Sequence, residues 1–288
     1  MKQEPQAKDK IERIFGQEQN SEYMGAASFS DARILLFPVR SLVGVFAYIT
    51  CPMVLERFRR DLAIAGISGN LSTISIPQGT VLGTDTNQNK TQNNKVVLEE
   101  FVFNFIPQGT VLGTDTNQNK TQNNKVVLEE FVFNFQADDK VKNLAKCLTT
   151  NAIPSGNEYT FWRSCLETHL LVVPDDDFKD FVKFSTEIQP RVKLGDGKSS
   201  DTSKGGNLFY QENLPSDSLM YSLVMTQDVF EKIKTADSKE WGSHQDVNEF
   251  LKKLDSKRLQ IGGDESIGKG IMCVKFYENT SAEKGGSK

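Results

Sequence analysis

The sequence predicts an α+β fold built around an antiparallel β-sheet. Short apolar runs typical of strands and longer segments with helical periodicity follow each other along the chain, without the strict strand–helix alternation of a parallel α/β sheet. The 288 residues are 38% hydrophobic and 25% charged, the balance of an ordinary globular protein. This length suits one large domain or two small ones, and we expect a single domain over residues 1–288.

The predicted helices are recognised by their apolar faces and by the residues at their ends. Gly16 ends the first helix, Pro52 opens the second and Ser243 is an N-cap for the last. In the second helix, Asp61 is expected to lie outside the apolar face. Helices are predicted over residues 8–15, from residue 52, over residues 138–148, after residue 174 and from residue 243.

Strands are predicted where apolar residues cluster between turn residues. Pro38 and Ser41 are expected to separate the first two strands, because proline lacks the backbone donor that a sheet uses. The predicted strands cover residues 33–37, 44–49, 169–173, 219–225, 259–261 and 271–277. The glycine-rich residues 195–206 are predicted to form a flexible excursion, and residues 279–288 a disordered tail.

A tandem repeat without a single difference lies in the first half of the chain. Residues 76–105 and 106–135 are the same thirty letters. Repeat folds need three or more units, and the units of a repeat protein normally differ from one another in sequence. Two identical copies therefore indicate a recent duplication rather than a solenoid. Each copy joins a polar, Asn-rich loop to one predicted strand, residues 96–105 or 126–135. A single-copy sheet has one place for this strand, so we expect the second copy to add an edge or to be looped out.

Composition sets limits on the function. The net charge of −4 argues mildly against RNA binding, because proteins that neutralise phosphates usually carry a basic surplus. No apolar run approaches the roughly 20 residues of a membrane span, and residues 1–10 lack the pattern of a secretion signal. The four cysteines stand far apart without a CxxC pair, so reduced core thiols are expected. These observations predict a cytoplasmic protein without a membrane partner.

Residues 263–270, GDESIGKG, match the start of a phosphate-binding P-loop and then depart from it. Gly270 stands where the magnesium-binding Ser or Thr belongs, and Asp264 and Glu265 would repel phosphate inside the cradle. A strand-like run comes next where a helix is needed, so ATP hydrolysis is not expected. A turn that carries Lys269 can still contact an RNA backbone, and a plain connector between strands fits equally well.

Residues able to carry catalysis or bind a metal are sparse in the sequence. The two histidines, His169 and His244, have no partner at metal-ligand spacing, and we expect the first in the core and the second solvated at a helix start. The acidic residues 175–177 are favoured at a helix start by its dipole, which explains them without a metal. The arginines of the second helix are expected to form a charged outer face. No catalytic or metal-binding residue is therefore assigned.

Five separated segments carry a pattern that covers nearly the whole chain. They read IERIFG from residue 11, ASFSDARILLFPVRSLVGVFAYITCP from residue 27, VLEEFVF from residue 97, STEIQPRVKLG through NLFYQENLPSDSLMYS over residues 185–222, and LQIGGDESIGKG from residue 259. In order and approximate spacing, these segments resemble the RAMP superfamily and, within it, the backbone subunit of the type III-B (Cmr) CRISPR complex. The runs SFSDARILLFPVRS and IGGDESIGKG are individually specific.

The resemblance implies a modified ferredoxin-like (RRM-like) core with a protruding thumb, in subunits that stack as a helical filament along the guide RNA (crRNA). The thumb, residues 186–215, would insert into the guide–target duplex, and the Gly-rich loop would lie against the guide backbone. The thumb is bracketed by Thr186, Glu187, Arg191 and Lys193 on one side and by Leu208, Phe209 and Glu212 on the other. The implied RNA-binding residues are Gly262, Gly263, Ser266, Gly268, Lys269, Arg191 and Lys193. The implied partners are crRNA, target RNA, further copies of the chain and other type III-B subunits.

The resemblance also implies a difference at the start of the chain. Family members carry, before the IFG motif, a first strand, an aspartate needed for metal-dependent cleavage of target RNA, and a guide-binding PGSSLKG-like stretch. Here IFG begins at Ile14, so we expect that strand and that aspartate to be absent; Asp31 lies downstream and is not its equivalent. The expected function is crRNA binding in antiviral defence, without cleavage or a cofactor of its own. The alternatives are a non-functional gene fragment and a stand-alone RAMP ribonuclease that processes repeat RNA, which would need a histidine-containing site.

Overall fold

The structure, a computed structural model, describes residues 5–17, 24–67, 71–90, 124–193, 207–230 and 241–277. The helices in these ranges are α1 (Pro5–Phe15), α2 (Pro52–Ile64), α3 (Asp139–Asn151), α4 (Thr160–His169), α5 (Asp175–Phe184) and α6 (His244–Lys252). The strands are β1 (Ala27–Phe29), β2 (Arg33–Arg40), β3 (Phe46–Thr50), β4 (Thr80–Gly83), β5 (Lys125–Leu128), β6 (Phe131–Ala137), β7 (Leu170–Val172), β8 (Glu187–Lys193), β9 (Asn207–Asn213), β10 (Leu219–Tyr221), β11 (Val224–Thr226), β12 (Arg258–Gln260) and β13 (Ile271–Cys273). Helices and strands are mixed along the chain, which confirms the α+β prediction.

The largest sheet of the described residues has seven strands in the order β10–β2–β3–β7–β4–β6–β5. Its neighbours are antiparallel except for β3 with β7 and β4 with β6, which are parallel. The prediction of an antiparallel sheet is therefore wrong, because the sheet is mixed. The two strands of each parallel pair are not consecutive in the chain. The segments between them form the crossover connection that parallel strands need, because the second strand must begin at the same end of the sheet as the first.

Two hydrophobic clusters form the core of the described residues. The main one packs β2, β3, β4 and β7 against helices α2, α3 and α5, and Phe37, Ile49 and Leu171 within it are fully buried. A smaller cluster, with Ile14 and Leu251 at its centre, joins α1 to α6 beside the two-stranded β1–β11 sheet. The apolar spacing in α2, α3, α5 and α6 predicted which face of each helix is buried, because apolar residues at this spacing lie on one side of a helix and pack against the core.

Strand β2 continues through Pro38 to Arg40, so the predicted break at Pro38 is wrong. On one side β2 pairs with β3, where Pro38 lies opposite Tyr48. On the other side β10 pairs with β2 only as far as Leu36. No described strand pairs with Pro38 on that side, and a proline is tolerated where its missing donor is not needed.

Two further strand predictions need correction. Residues 219–225 form two short strands, β10 and β11, which pair with β2 and β1 respectively in different sheets. His169 is the last residue of α4 rather than the first of a strand, and the strand β7 begins one residue later. Helix α4 was not predicted, and its buried residues are only Cys165, Leu166 and His169.

The two identical copies supply different parts of the same sheet. Strand β4 comes from the first copy, whereas β5 and the first residues of β6 come from the second. The predicted strand over residues 126–135 is a hairpin that turns at Glu129, whose φ of 49° is left-handed. Glu129 is held there by Arg40, whose Nε donates to Oε2 at 2.7 Å. The other predicted strand, over residues 96–105, lies outside the described residues.

The residues after β4 were predicted as a polar loop, and the structure buries them. Thr84, Asn87 and Asn89, called here the polar anchor, are all buried. Asn87 Nδ2 donates to the Leu170 carbonyl at 3.1 Å, and Asn89 Nδ2 donates to the carbonyls of Val43 and Phe46, each at 2.8 Å. A buried amide that satisfies backbone carbonyls stabilises the fold, so the polar anchor fastens the end of β4 to β7 and to the β2–β3 turn.

A buried carboxylate joins α2 to β2 and β10. Asp61 is 1% exposed, so the prediction that it lies outside the buried face of α2 is wrong. Its Oδ2 accepts from Arg33 Nη1 at 2.5 Å and from Tyr221 Oη at 2.9 Å, while Oδ1 accepts from Arg60 Nε at 3.0 Å. Burial acts to raise the pKa of Asp61, but the hydrogen bonds from Arg60 and Tyr221 and the charges of Arg60 and Arg33 outweigh it, so the pKa lies below 3.8.

Replacing Asp61 tests this link. We expect Asp61→Asn to lower the free energy of unfolding at neutral pH by about 2 kcal/mol, because charge-assisted hydrogen bonds are lost in a buried site. Because the folded pKa is depressed, the contribution of Asp61 is present above pH 3.8 and is lost as the pH falls through the folded pKa. Urea unfolding of both chains between pH 3 and pH 7 measures this: the difference between them should shrink in acid. The control Glu56→Gln removes the carboxylate of an exposed ion pair with Arg59 and should change stability by less than about 0.5 kcal/mol.

Removing one repeat length tests how the two copies share the sheet. The described structure uses residues 76–90 and 124–135, so we expect deletion of residues 91–120 to keep every described element and its sequence. Its circular dichroism spectrum should show the full helix content, and its thermal unfolding should remain cooperative. Loss of cooperative unfolding would show that residues 91–120 contribute to the fold.

Candidate RNA interface

Strands β8 and β9 form a two-stranded hairpin outside the seven-stranded sheet. All seven residues of each strand pair, from Glu187 opposite Asn213 to Lys193 opposite Asn207. The hairpin lies in the region predicted as the thumb, residues 186–215. The predicted excursion over residues 195–206, between its strands, lies outside the described residues.

The hairpin has two chemically different faces, because side chains alternate along each strand. One face, called here the polar face, carries Gln189, Arg191 and Lys193 of β8 and Asn207, Phe209, Gln211 and Asn213 of β9, together with Glu187. The opposite face carries Ile188, Pro190, Val192, Leu208, Tyr210 and Glu212. The apolar side chains of this second face are exposed, Tyr210 at 70%, whereas Arg191 and Gln211 on the polar face are half-buried. The register therefore places both predicted RNA-binding residues of the hairpin on one face.

The Gly-rich loop connects β12 and β13, which pair with each other. The backbone turns through left-handed conformations at Gly262 (φ 92°), Asp264 (φ 62°) and Gly268 (φ 78°). The side chain of Gln260 braces the loop from inside, since its Nε2 donates to the carbonyls of Gly262 at 3.0 Å and Lys269 at 3.3 Å. Only glycine fits at position 270, where a Cβ would lie 2.1 Å from the Ile261 carbonyl oxygen.

The Gly-rich loop is not a P-loop. A short 3₁₀ turn, Glu265–Ile267, comes after Asp264, and the chain then enters β13, as the sequence predicted. Gly262, Gly263, Ser266 and Gly268 are exposed, while Lys269 is half-buried. A Cβ at Gly262, Gly263 or Gly268 would meet no atom within 4 Å, so this side of the loop is open to a ligand.

The Gly-rich loop contacts the polar face of the hairpin. Gln211 Nε2 donates to Asp264 Oδ2, which joins residues far apart in the sequence. Asp264 was predicted to repel phosphate, and in the structure its carboxylate instead accepts a hydrogen bond that holds the loop on the hairpin. No sequence pattern links Gln211 to Asp264, so this contact was not predicted.

The remaining polar candidates serve the fold. His169 is buried, stacks on Phe46 and contacts Thr168 Oγ1 through Nδ1 at 2.9 Å, and burial lowers its pKa. His244 is exposed in the first turn of α6, where Nδ1 lies 3.2 Å from Asp228 Oδ1. Both predictions for the histidines are confirmed. The carboxylate of Asp175 accepts from the Met53 backbone at the start of α2, so it has a structural partner.

The thiols and carboxylates of the described residues offer little to a nucleophilic or metal mechanism. Cys51 and Cys165 are buried, and burial raises the pKa of the Cys51 thiol to about 12. The expectation of core thiols is wrong for Cys273, which is exposed. Within the described ranges, no three His, Cys, Asp or Glu side chains come together as metal ligands. No described helix is long and apolar enough to cross a membrane.

Comparison with known proteins gives one consistent result. The RAMP superfamily matches residues 2–273 of the chain. A curated relative from Pyrococcus furiosus, "CRISPR system Cmr endoribonuclease Cmr4", is 36% identical over 277 residues, which cover 95% of this chain and 77% of the relative. The crystal structure of oligomeric Cmr4 from Pyrococcus furiosus is 32% identical and superposes with a TM-score of 0.56 over 91% of this chain and 75% of its own.

A more distant structure shares the fold. The cryo-EM structure of a type III-B Cmr-beta complex bound to cognate target RNA contains a chain that is 18% identical, with a TM-score of 0.55 over 94% of this chain and 77% of its own. Together with the match over residues 2–273, these comparisons show that the chain belongs to the RAMP superfamily and, within it, is a homologue of Cmr4.

Proposed function

We propose that this chain is a crRNA-binding backbone subunit of a type III-B RNA-targeting complex. The observation that carries the proposal is the contact between Gln211 and Asp264. It brings the Gly-rich loop onto the hairpin face that carries Arg191 and Lys193, so two separate elements form one surface. The kinship with Cmr4 supports the same assignment.

The chemistry of this surface suits a single-stranded RNA backbone. Arg191, Lys193 and Lys269 provide positive charge for phosphates, and the open Gly-rich loop lets a sugar–phosphate chain approach its backbone. Phe209 lies opposite Arg191 on the same face and offers an aromatic ring on which a base can stack. A local cluster of this kind is compatible with a chain whose net charge is −4.

The exposed apolar face of the hairpin supports stacking of copies. Ile188, Val192, Leu208 and Tyr210 are each more than half exposed, an unusual concentration for a face that meets only water. A relative crystallised as an oligomer, and we propose that copies of this chain stack along the guide in the same way. The hairpin would then act as the thumb, and the seven-stranded sheet as the modified ferredoxin-like core. Target RNA and the other type III-B subunits are the further proposed partners.

Cleavage of target RNA is not assigned to any residue of this chain. The family resemblance places the metal-dependent cleavage aspartate before the IFG motif, and Asp31 lies after it as an exposed residue near Ser30 and Ser222. The stand-alone ribonuclease alternative gains no support, because His169 is buried and His244 is paired with Asp228. That alternative would be favoured only if the purified chain cleaved repeat RNA.

Removing the three cations tests the proposed surface. We expect the triple variant of Arg191, Lys193 and Lys269 to Ala to weaken crRNA binding at low salt. Because each lost phosphate contact releases about 0.7 fewer counterions from single-stranded RNA, the slope of log K against log salt should fall by about 2. Fluorescence anisotropy with labelled crRNA across a salt series measures both quantities.

The matched control removes the same charge from helices outside the proposed surface. Arg57, Lys146 and Lys179 are exposed on α2, α3 and α5, and their triple Ala variant changes the net charge equally. We expect it to retain nearly the original salt slope. Equal losses in the two triple variants would mean that net charge, rather than this surface, governs binding.

Asp31 provides a test of the cleavage assignment. We expect no cleavage of target RNA by an assembled complex that depends on Asp31, so Asp31→Ala should leave the pattern of RNA fragments unchanged, because the family resemblance places the cleavage aspartate before the IFG motif. Gel analysis of labelled target RNA with divalent metal present shows this pattern. Loss of the cleavage products on this substitution would place the catalytic aspartate inside the chain.

A further inference from the structure

A groove of about 520 Å³ lies at the base of the β8–β9 hairpin, where the hairpin joins the rest of the chain. Its walls come from the turn between β5 and β6, the C-terminal half of α5, the chain on either side of the hairpin and the end of β2. A volume of this size is typical of a binding site. We call it the hairpin groove, and its apolar lining consists of Pro38, Phe131, Phe181, Phe184 and Pro215.

Two aromatic rings of the hairpin groove are open to a partner. Phe184 is 70% exposed and Phe131 is 48% exposed, although Phe131 packs edge-on against the buried Phe181, with ring centroids 5.8 Å apart. Phe184 already attracts one cation, because Lys183 Nζ lies 4.8 Å from the centre of its ring. The groove therefore offers apolar surface that a partner can cover, and part of it suits a positive charge.

The charged side chains of the hairpin groove determine what kind of partner fits. The described residues that line it carry four carboxylates and one guanidinium, that of Arg40. Arg40 is paired with Glu129, since its Nη2 lies 2.5 Å from Oε2. The other three carboxylates are exposed and come from three different parts of the fold: Glu130 from the turn between β5 and β6, Asp180 from α5 and Glu187 from β8. The groove therefore has a surplus of three negative charges beside its aromatic rings.

The backbone around the hairpin groove adds acceptors. The Arg40 N–H donates to Glu129 Oε1 at 3.2 Å, on the edge of β2 that faces away from β3. Pro38 lies two residues earlier and has the same orientation, so its carbonyl points to this edge, where it has no N–H to offer. Helix α5 ends here at Phe184, and the C-terminal end of a helix carries partial negative charge. Carboxylates, carbonyl and helix end all favour a positively charged donor.

We propose that the hairpin groove binds a basic segment of another protein. Arginine or lysine side chains of this segment lay their aliphatic stems on Phe131 and Phe184 and place their charges among Glu130, Asp180 and Glu187. Nucleic acid does not match this surface, because its phosphates would meet the surplus negative charge. A second copy of this chain is a poorer match, since two chains of net charge −4 repel each other at long range. The inference goes beyond the proposed RNA binding and does not rest on it.

A labelled peptide of alternating arginine and leucine tests this assignment, with fluorescence anisotropy on the purified full chain. The triple variant Glu130→Gln, Asp180→Asn and Glu187→Gln should weaken peptide binding about tenfold, because each exposed ion pair contributes modestly and three are lost together. Phe184→Ala should weaken it about threefold, because the ring no longer contacts a cation. All four side chains are exposed, so both variants should keep the circular dichroism spectrum of the unaltered chain. Unchanged peptide affinity in the two variants would overturn the proposal.

The control for charge changes three carboxylates outside the groove. Asp139, Glu158 and Glu167 are exposed in α3, in the short 3₁₀ turn before α4 and in α4. The triple variant Asp139→Asn, Glu158→Gln and Glu167→Gln alters the net charge equally and should bind the peptide as the unaltered chain does. Equal losses in the two triple variants would overturn the proposal, since net charge would then govern binding. Equal binding of a peptide with glutamate in place of arginine would also overturn it.

Two further measurements distinguish the other occupants. Sedimentation velocity of the unaltered chain and of the Glu130, Asp180 and Glu187 triple variant should show the same state of association. Association that is lost in this variant would assign the groove to a second copy. Phe184→Ala should leave crRNA affinity unchanged, and a weaker affinity would place the groove within the RNA interface. Either of these contrary results overturns the proposal.

Discussion

The buried carboxylate of Asp61 holds together the elements from which the candidate RNA interface extends. It accepts hydrogen bonds from β2, through Arg33, and from β10, through Tyr221. Strand β10 comes after the β8–β9 hairpin in the chain, so the point where the hairpin leaves the body is fastened to α2 by this carboxylate. Burying a charge is unfavourable unless it is paired and hydrogen-bonded, and the two arginines and one tyrosine meet that requirement. The chain that leaves the hairpin is therefore joined, eight residues later at Tyr221, to a buried carboxylate remote from it in sequence.

Local signals predicted five of the six described helices but missed α4, and they failed where distant parts of the chain determine the structure. The Ser243 N-cap is present with a full capping box, and Pro52 does open α2, because these signals act within one turn of helix. Whether Pro38 breaks a strand depends instead on how far β10 extends beside it. Asp61 was judged by helix periodicity alone, which carries no information about the arginines and the tyrosine that make its burial possible.

The candidate site was predictable in its parts and not in its assembly. Arg191 and Lys193 came from the family resemblance alone, since neither composition nor charge pointed to RNA, whereas an RNA contact at Lys269 was already one of two equal interpretations of the loop's own sequence. That Arg191 and Lys193 share a face follows from strand alternation once the hairpin is recognised. The contact of Gln211 with Asp264 has no counterpart in any local pattern, and it is the contact that turns two separate elements into one surface.

The identity of the two thirty-residue copies has a consequence for the gene. Removing any thirty consecutive codons whose first lies between positions 76 and 106 yields the same shorter protein, because the letters before and after the cut always match. A recombination event between the copies therefore gives the same protein wherever in the repeat it occurs. The contacts of β4, the polar anchor and the β5–β6 hairpin use only one set of these letters, so the shorter protein retains every residue that makes them.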